Sequence, residues 1–322
     1  MVESSPNGPV EIYRGLANAW ECDLMGHLNV QFYTDKLVQG LAHLAAAVGA
    51  GRTYEGETGR TVRLARSLNR HSGELKAGDA LLIRATVDSV GETSAAVVAE
   101  FVDAECRTPV AVFDLEIAHL AADSVAPEPW PAMVRKRLAA AVRPRSDAPR
   151  PPGTGAPSTA PASGFASPFV SGRGTVQPWQ LDAAGRLAPR FQLDAVISAI
   201  GHIRHRVGLD AEMMAARNWG MAGLEYRVAY LAPCGPGEIY TLRSGLAEVG
   251  RKTFRFCHRL ANDSTGEAIA TVDMVSCLFD LVGRRAVTIP DEIASQAGRL
   301  IVPWPPDLEF AAGAWTAPPT VG

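Results

Sequence analysis

The segment ECDLMGHLNV places Asp23, Gly26, His27 and Asn29 within seven positions. An aspartate carboxylate can attack an electrophile or accept a proton, and an imidazole titrates near neutral pH. Asn29 is a favourable N-cap for the helix that the following apolar spacing predicts. The first amides of that helix, from Val30 to Tyr33, lie at the positive end of the helix dipole and suit a developing negative charge. The segment therefore combines a reactive carboxylate with a place for an oxyanion.

The same segment recurs in altered form after a shift of 159 residues. QLDAAGRLAP keeps the aspartate and the glycine as Asp182 and Gly185, but Arg186 replaces the histidine and Ala188 replaces the asparagine. One register, without a gap, relates the two copies over nearly 120 residues, which is too long for chance. The pairs in this register include Arg14 and Arg173, Trp20 and Trp179, Phe32 and Phe191, Asp114 and Asp273, and Pro131 and Pro290. The chain is therefore an internal duplication.

Each copy shows the same predicted organisation. A stretch with helical apolar spacing ends at Gly49 in the first copy and at Gly208 in the second, where a helix C-terminus favours glycine. Three β-rich runs follow: ALLIRATVDSV, TSAAVVAEFVD and PVAVFDLEIAHL, then EIYTLRSGLAEV, TFRFCHRLA and AIATVDMVSCLF. The segments GETS and GRKT predict tight turns between antiparallel neighbours. The predicted fold class is α+β, one long helix followed by an antiparallel meander, made twice.

The duplication also sets the predicted domain bounds. The first domain takes 1–137 and the second takes 171–303. Residues 138–170 are rich in Pro, Ala and Ser and predict a linker, because such a stretch cannot bury enough apolar surface to offset its ordering entropy. The tail at 304–322 is predicted to be irregular.

Composition narrows the class of function. The chain has 322 residues, 47% hydrophobic and 20% charged, with a net charge of −3, so neither nucleic acid nor a membrane is expected as a partner. The first ten residues do not have the pattern of a signal peptide, and five cysteines without CxxC spacing favour reduced thiols in a cytoplasm over disulfides or a metal site. No G-x-S-x-G elbow and no phosphate-binding glycine loop occurs.

The motif in its context resembles a known family. D-x-x-G-H-x-N at the start of a long helix, followed by Tyr33 and Asp35, is similar to the hotdog-fold acyl-CoA thioesterases of the 4-hydroxybenzoyl-CoA thioesterase type. LKAGDALLIRATVDSVG resembles that family's strand after the helix, and RRAVTIPDEI resembles its usual ending. The resemblance implies two tandem hotdog domains, each an antiparallel sheet wrapped around a long central helix. Such a double hotdog would be a pseudo-dimeric monomer or would associate into a homo-oligomer.

The resemblance also implies roles for the residues of the first loop. Asp23 would be the catalytic carboxylate, acting as nucleophile on the thioester or as general base toward water. His27 would orient water, bond the substrate or tune Asp23, and Asn29 would hold the loop or help to place the acyl group. The residues expected to position the oxyanion and the substrate are Gly26, Val30 and Tyr33. The expected substrate is an acyl-CoA, with acyl-carrier protein as the alternative donor, and no cofactor or metal is expected.

The roles of the second loop and of the basic stretch at 63–70 each allow two interpretations. Asp182 and Arg186 either belong to a copy that has lost its catalytic function, which we favour, or take a separate role from the first loop. In the second case Arg186 would hold a substrate carboxylate or a phosphate of coenzyme A. The stretch around Arg63, Arg66 and Arg70 would meet those phosphates or form a solvated basic edge.

Two other functions compete with hydrolysis. A non-catalytic module that binds acyl thioesters agrees with the altered second motif. A hotdog hydratase or dehydratase is the weaker alternative, since those branches of the fold place their Asp and His differently. Because fold alone does not determine function, the thioesterase prediction depends on the residues around Asp23.

Overall fold

The computed structural model describes residues 9–23, 25–121, 124, 126–143 and 168–302. These residues divide into two compact units. The first unit holds the described residues of 1–149 together with Asp182–Phe191, and the second holds those of 150–181 and 192–322. The loop that carries Asp182 is therefore described with the first unit.

Two predictions concern segments outside this description. Most of the predicted linker, 144–167, and the whole predicted tail, 304–322, lie outside the described residues. Within the part of the chain that the structure does describe, no helix has both the length and the apolar character needed to span a membrane.

An antiparallel sheet of five strands forms the first unit, in the order β1-β3-β4-β5-β2. The strands are β1 (Val10–Leu16), β2 (Arg60–His71), β3 (Ala80–Val90), β4 (Ser94–Asp103) and β5 (Pro109–Ala121). The last three are the β-rich runs that the sequence predicted. The sequence pattern missed β1 and β2, and β2 contains the basic stretch.

A long helix packs on this sheet. The helices of the unit are α1 (Val30–Ala47), α2 (Arg52–Thr58) and α3 (Ala132–Ala140). Leu37 and Leu44 of α1 are buried, and the Tyr33 ring lies 5.1 Å from the ring of Phe101 on β4. Burying each such side chain stabilises the unit by about 1.5–3 kcal/mol. The predicted central helix of the first copy is confirmed.

The second unit repeats the sheet, in the order β7-β10-β9-β8-β6. Its strands are β6 (Phe169–Thr175), β7 (Trp219–Tyr230), β8 (Ile239–Val249), β9 (Thr253–Asn262) and β10 (Ala268–Asp280), with the two-residue β11 (Arg285–Ala286) beside β10. The predicted runs are β8, β9 and β10, and the sequence pattern again missed the other two main strands.

The predicted central helix of the second copy is present but is interrupted at one residue. The helices are α4 (Pro189–Ser198), α5 (Ile200–Arg206), α6 (Ala211–Ala216) and α7 (Asp291–Gly298). Ala199 interrupts the central helix between α4 and α5, and its amide bonds to the Val196 carbonyl at 3.2 Å, a tighter turn than the α-helix makes. The β-branched Ile197 and Ile200 and the following Gly201 have lower helix propensity, which accounts for a break at this point.

The predicted turns and helix ends are confirmed. Gly49 and Gly208 both have a φ of +84°, in the left-handed region that glycine adopts at a helix C-terminus. In GETS the Gly91 amide donates to the Ser94 carbonyl at 2.8 Å, and in GRKT the Gly250 amide makes the equivalent bond, also at 2.8 Å.

Candidate active site

The first loop holds Asp23 between a short 3-10 turn (Ala19–Glu21) and the start of α1. Asp23 Oδ1 accepts hydrogen bonds from the amides of Met25 at 2.8 Å and His27 at 3.1 Å. The Asp23 amide in turn donates to the His27 carbonyl at 2.8 Å, and Gly26 closes the turn with a φ of +79°. Among the described residues, nothing donates a hydrogen bond to Asp23 Oδ2. One carboxylate oxygen thus shapes the loop, and the other has no donor among the described residues.

The second loop has the same backbone geometry and a different charge environment. Asp182 Oδ1 accepts from the amides of Ala184 at 2.9 Å and Arg186 at 3.1 Å, and Gly185 has a φ of +77°. Asp182 Oδ2, however, accepts from Arg186 Nε at 3.3 Å and Nη2 at 3.1 Å. The arginine that replaced the histidine therefore neutralises the carboxylate beside it.

His27 contacts Asp23 through its backbone and directs its imidazole elsewhere. Its Nε2 lies 3.2 Å from Glu74 Oε2, and its side chain is 11% exposed against 38% for that of Glu74. This pairing fixes the orientation of a nearly buried ring. The sequence analysis missed Glu74, although the repeat offers a signal: the equivalent position in the second copy is Pro233, so the histidine and its acidic partner are both replaced.

Asn29 caps α1, as predicted. Its side-chain oxygen accepts from the Gln31 amide at 3.3 Å, and its own amide donates to the Glu21 carbonyl at 2.9 Å. Val30 is the first residue of α1, so its amide has no intrahelical partner. The helix thus presents a polarised N-terminus that begins seven positions after Asp23 in the sequence.

Tyr33 belongs to the core through its side chain. The residue is 2% exposed, and its ring meets the His71 ring edge-on at 4.9 Å. Burial raises the pKa of Tyr33, an effect that a hydrogen bond with the backbone of Leu75 partly opposes. The Tyr33 side chain is therefore a core residue, and the part predicted for Tyr33 in substrate positioning stays a prediction.

The three candidate arginines of β2 differ in their partners. Arg70 pairs with Asp114 at 2.8 Å, and Arg66 pairs with Glu116 at 3.3 Å. Arg63 donates instead to the Ser124 carbonyl at 3.1 Å. Burial, with the charge of Arg186 adding to it, lowers the pKa of Arg63 to about 10. Arg63 is therefore the guanidinium whose charge is least compensated.

Neither the thiol beside Asp23 nor a metal site adds a reactive group to the described part of the first loop. Cys22 lies beside Asp23 with its Sγ 3.4 Å from the Asn18 carbonyl oxygen. Burial and then the charge of Asp23 raise the pKa of the Cys22 thiol, which makes it a poor nucleophile near neutral pH. In the described part of the chain, no three His, Cys, Asp or Glu side chains are grouped as a metal site requires.

Solved structures of thioesterases share this fold over most of the chain. A protein described as an oleoyl thioesterase from Lactobacillus plantarum is 13% identical, covers 89% of this chain and 100% of its own, and has a TM-score of 0.65. An acyl-ACP thioesterase from Bacteroides thetaiotaomicron is 13% identical over 86% of this chain and 100% of its own, with a TM-score of 0.62. The 12:0-ACP thioesterase from Umbellularia californica is 8% identical over 82% and 92%, with a TM-score of 0.59. These likenesses confirm two tandem hotdog domains.

The family assignment comes from the sequence itself. No curated protein sequence matches the chain significantly. The profile of the Thioesterase-like superfamily, however, matches twice, over residues 17–138 and 176–297, so that each copy carries one complete match. The chain therefore belongs to the Thioesterase-like superfamily, which confirms the prediction of a thioester hydrolase.

Proposed function

We propose that the first loop hydrolyses the thioester of an acyl-CoA, or of an acyl-carrier protein, to a free acid and a thiol. The observation that carries this proposal is the contrast between the two aspartates. Asp23 keeps one carboxylate oxygen without a hydrogen-bond donor among the described residues, on the loop that leads into α1, whereas both carboxylate oxygens of Asp182 accept hydrogen bonds from its own loop. Only the first loop has a carboxylate available for reaction.

Asp23 would act in one of two ways. As nucleophile, Oδ2 attacks the thioester carbon to give a tetrahedral intermediate, and the C–S bond then breaks with departure of the thiolate. The acyl group remains on Asp23 as a mixed anhydride, which water hydrolyses to the free acid and the original carboxylate. As general base, the carboxylate takes a proton from a water molecule that attacks the same carbon. In both cases the carbonyl oxygen gains negative charge, and the amide of Val30 would stabilise it, since the amides of Gln31 and Phe32 already donate to Asn29. Gly26 would leave the approach to the Val30 amide free of a side chain.

His27 and Asn29 would support this chemistry from either side of the loop. The Glu74 carboxylate holds the His27 ring by Nε2, so the imidazole would order water or substrate in a fixed orientation. Asn29 would contribute by holding the helix N-terminus in place through its cap.

The substrate would carry its phosphates toward the basic strand β2. Arg63 is the best-suited contact, because Arg66 and Arg70 already pair with carboxylates. The acyl donor would be coenzyme A, as in the thioesterases of the 4-hydroxybenzoyl-CoA type that the motif resembles. The protein would act in the cytoplasm. Two of the structures with this fold are named as acyl-ACP thioesterases, so the carrier protein is the alternative donor to test.

The test is thiol release from a panel of short, medium, long and aromatic acyl-CoAs and matching acyl-carrier proteins. Wild type is expected to turn over at least one class, and Arg63→Ala is expected to raise KM for CoA esters but not for the same acyl group on pantetheine, which has no phosphate. Single-turnover reactions quenched with hydroxylamine distinguish the two roles of Asp23, because only a mixed anhydride gives a hydroxamate on the protein. Binding of an ester without turnover would refute hydrolysis and select the binding module.

A further inference from the structure

A buried ion pair lies next to the Asp23 loop. Lys36 Nζ is 2.8 Å from each carboxylate oxygen of Glu21, and the two side chains are 2% and 8% exposed. Lys36 is among the largest fully buried side chains of the described chain. Its ammonium also lies 5.7 Å from the centre of the Tyr13 ring on β1. The pair is thus enclosed between the 3-10 turn, α1 and the sheet.

A buried ion pair often stabilises a folded protein no better than apolar residues of similar volume would. Removing two charges from water carries a large desolvation cost for each ion, and the mutual attraction often does no more than offset that cost. Apolar residues of similar volume commonly serve as well or better. A buried pair at this position therefore calls for a role other than stabilising the core.

Glu21 connects three segments around Asp23. Its side chain accepts the Asn18 amide at 2.9 Å and so closes the 3-10 turn. Its backbone carbonyl accepts the Asn29 amide at 2.9 Å, at the far end of the loop. Its carboxylate reaches Lys36, the seventh residue of α1 and so almost two turns into the helix. Both ends of the loop and the helix that follows are therefore held at one residue, two positions before Asp23.

The second copy provides a natural comparison. Gln180 stands where Glu21 stands in the first copy, and Ala195 stands where Lys36 stands. Gln180 Oε1 still accepts the Gln177 amide at 2.9 Å, so the bond that closes the 3-10 turn is retained. The charges, in contrast, are lost from both positions. They are lost in the copy whose aspartate is neutralised by Arg186.

We propose that the Glu21–Lys36 ion pair positions the Asp23 carboxylate against the N-terminus of α1 for thioester hydrolysis. The proposal rests on the function proposed above. Lys36 is too deeply buried to touch the substrate, so both members are positioning residues. The pair fixes the distance between a nucleophile on the loop and an oxyanion site on the helix, which an apolar contact would leave free to vary. A misplacement of about 1 Å between reacting groups can cost about 10²-fold in rate.

The variants separate positioning from stability. Lys36→Met leaves Glu21 charged and buried without a cation, so we expect the melting temperature to fall. Glu21→Gln with Lys36→Met removes both charges, keeps the bond to the Asn18 amide and fills the volume, so we expect the melting temperature to recover. An exposed ion pair, Arg52 and Glu55, provides the control double variant Arg52→Met with Glu55→Gln.

Turnover and amide exchange are then measured on the neutral double variant. We expect kcat to stay at least about tenfold below wild type, with KM within about twofold, although the melting temperature has recovered. We also expect deuterium exchange to rise at least about tenfold in residues 21–33, with the equivalent residues 180–192 of the same molecule unchanged. The control variant should alter neither quantity.

Two results would overturn the proposal. One is a neutral double variant whose kcat recovers together with its melting temperature, and the other is unchanged exchange in residues 21–33. If exchange rises in that segment but wild type cleaves no thioester, the pair still positions the loop, and the proposed hydrolysis is what fails. The exchange measurement thus separates the two proposals.

Discussion

His258 makes the stability of the second unit depend on pH. The residue is 1% exposed on β9, with Nδ1 2.8 Å from Ser244 Oγ, which lies 2.6 Å from Ser171 Oγ. Among the described residues, Nε2 has no hydrogen-bond partner. Burial lowers the pKa of His258 to about 3, so the folded protein keeps the ring neutral well below the usual pKa of 6.5.

The size of the effect follows from proton linkage. Below pH 6.5 the unfolded chain takes up a proton on His258 that the folded chain does not, so stability is full above pH 6.5 and is lost as pH falls toward 3. Each pH unit in this window changes the free energy of unfolding by about 1.36 kcal/mol. At pH 5 the loss from this one residue is therefore about 2 kcal/mol.

The matched variant comes from the first copy. Its equivalents of Ser171, Ser244 and His258 are the buried apolar residues Ile12, Ala85 and Ala99. The triple variant Ser171→Ile, Ser244→Ala and His258→Ala transfers that set into the second unit. Other groups titrate equally in both proteins, so the difference in pH dependence isolates His258.

Urea unfolding followed by circular dichroism at pH 7.5, 6.0 and 5.0 measures the effect. The variant is expected to lose about 2 kcal/mol less than wild type between pH 7.5 and pH 5.0. Equal pH slopes for the two proteins would refute the reasoning, whatever the difference in their absolute stabilities, because they would mean that His258 titrates alike when folded and unfolded.

Three further predictions concern single residues. Tyr33→Phe removes a buried hydroxyl and its backbone hydrogen bond, so denaturant unfolding should show a free energy of unfolding lower by about 1 kcal/mol. The kcat of this variant should stay within about twofold of wild type, and a large fall in kcat would place the hydroxyl in the chemistry. Gly208→Ala puts a Cβ 2.7 Å from Gln296 Oε1 at a backbone φ of +84°, which strains the backbone of any residue but glycine. The free energy of unfolding in the same assay should fall by at least about 1 kcal/mol, and an unchanged midpoint denaturant concentration would contradict the presence of this strain. Glu74→Gln replaces the carboxylate that holds the His27 ring with a neutral amide. Steady-state kinetics should then show a lower kcat, by up to about 10²-fold, at unchanged KM; a wild-type kcat would remove Glu74 from the site.

Sequence patterns predicted those parts of the fold that depend on interactions between residues close together in the chain. Asn29 is a cap because its side chain bonds an amide two residues away, and Gly49 ends a helix because of its own φ. The β-rich runs after each helix alternate or cluster apolar residues, and they form strands as predicted. The strand β2 was missed because its arginines obscure the pattern, and they are tolerated there through pairing with the neighbouring strand β5, as between Arg70 and Asp114.

The residues of the candidate site likewise fall into those predicted from adjacent positions in the sequence and those that only tertiary structure brings together. The loop around Asp23 was predicted because its residues are adjacent in sequence and repeat in altered form. Glu74 is far along the chain from His27, and Lys36 joins Glu21 only once α1 has packed beside the turn. No periodicity relates such residues, so only tertiary structure brings them together. The comparison of the two copies does mark them, since Pro233, Gln180 and Ala195 replace all three.

The most direct test of this account compares two matched aspartate variants. Asp23→Asn and Asp182→Asn remove one charge each from loops of the same backbone geometry, and kcat/KM is measured for the best substrate of the panel. If the first loop alone carries the reaction, kcat/KM falls about 10²–10⁴-fold for Asp23→Asn and changes within about threefold for Asp182→Asn. Retained activity in Asp23→Asn, or an equal loss in Asp182→Asn, would contradict the claim that the first loop alone carries the reaction.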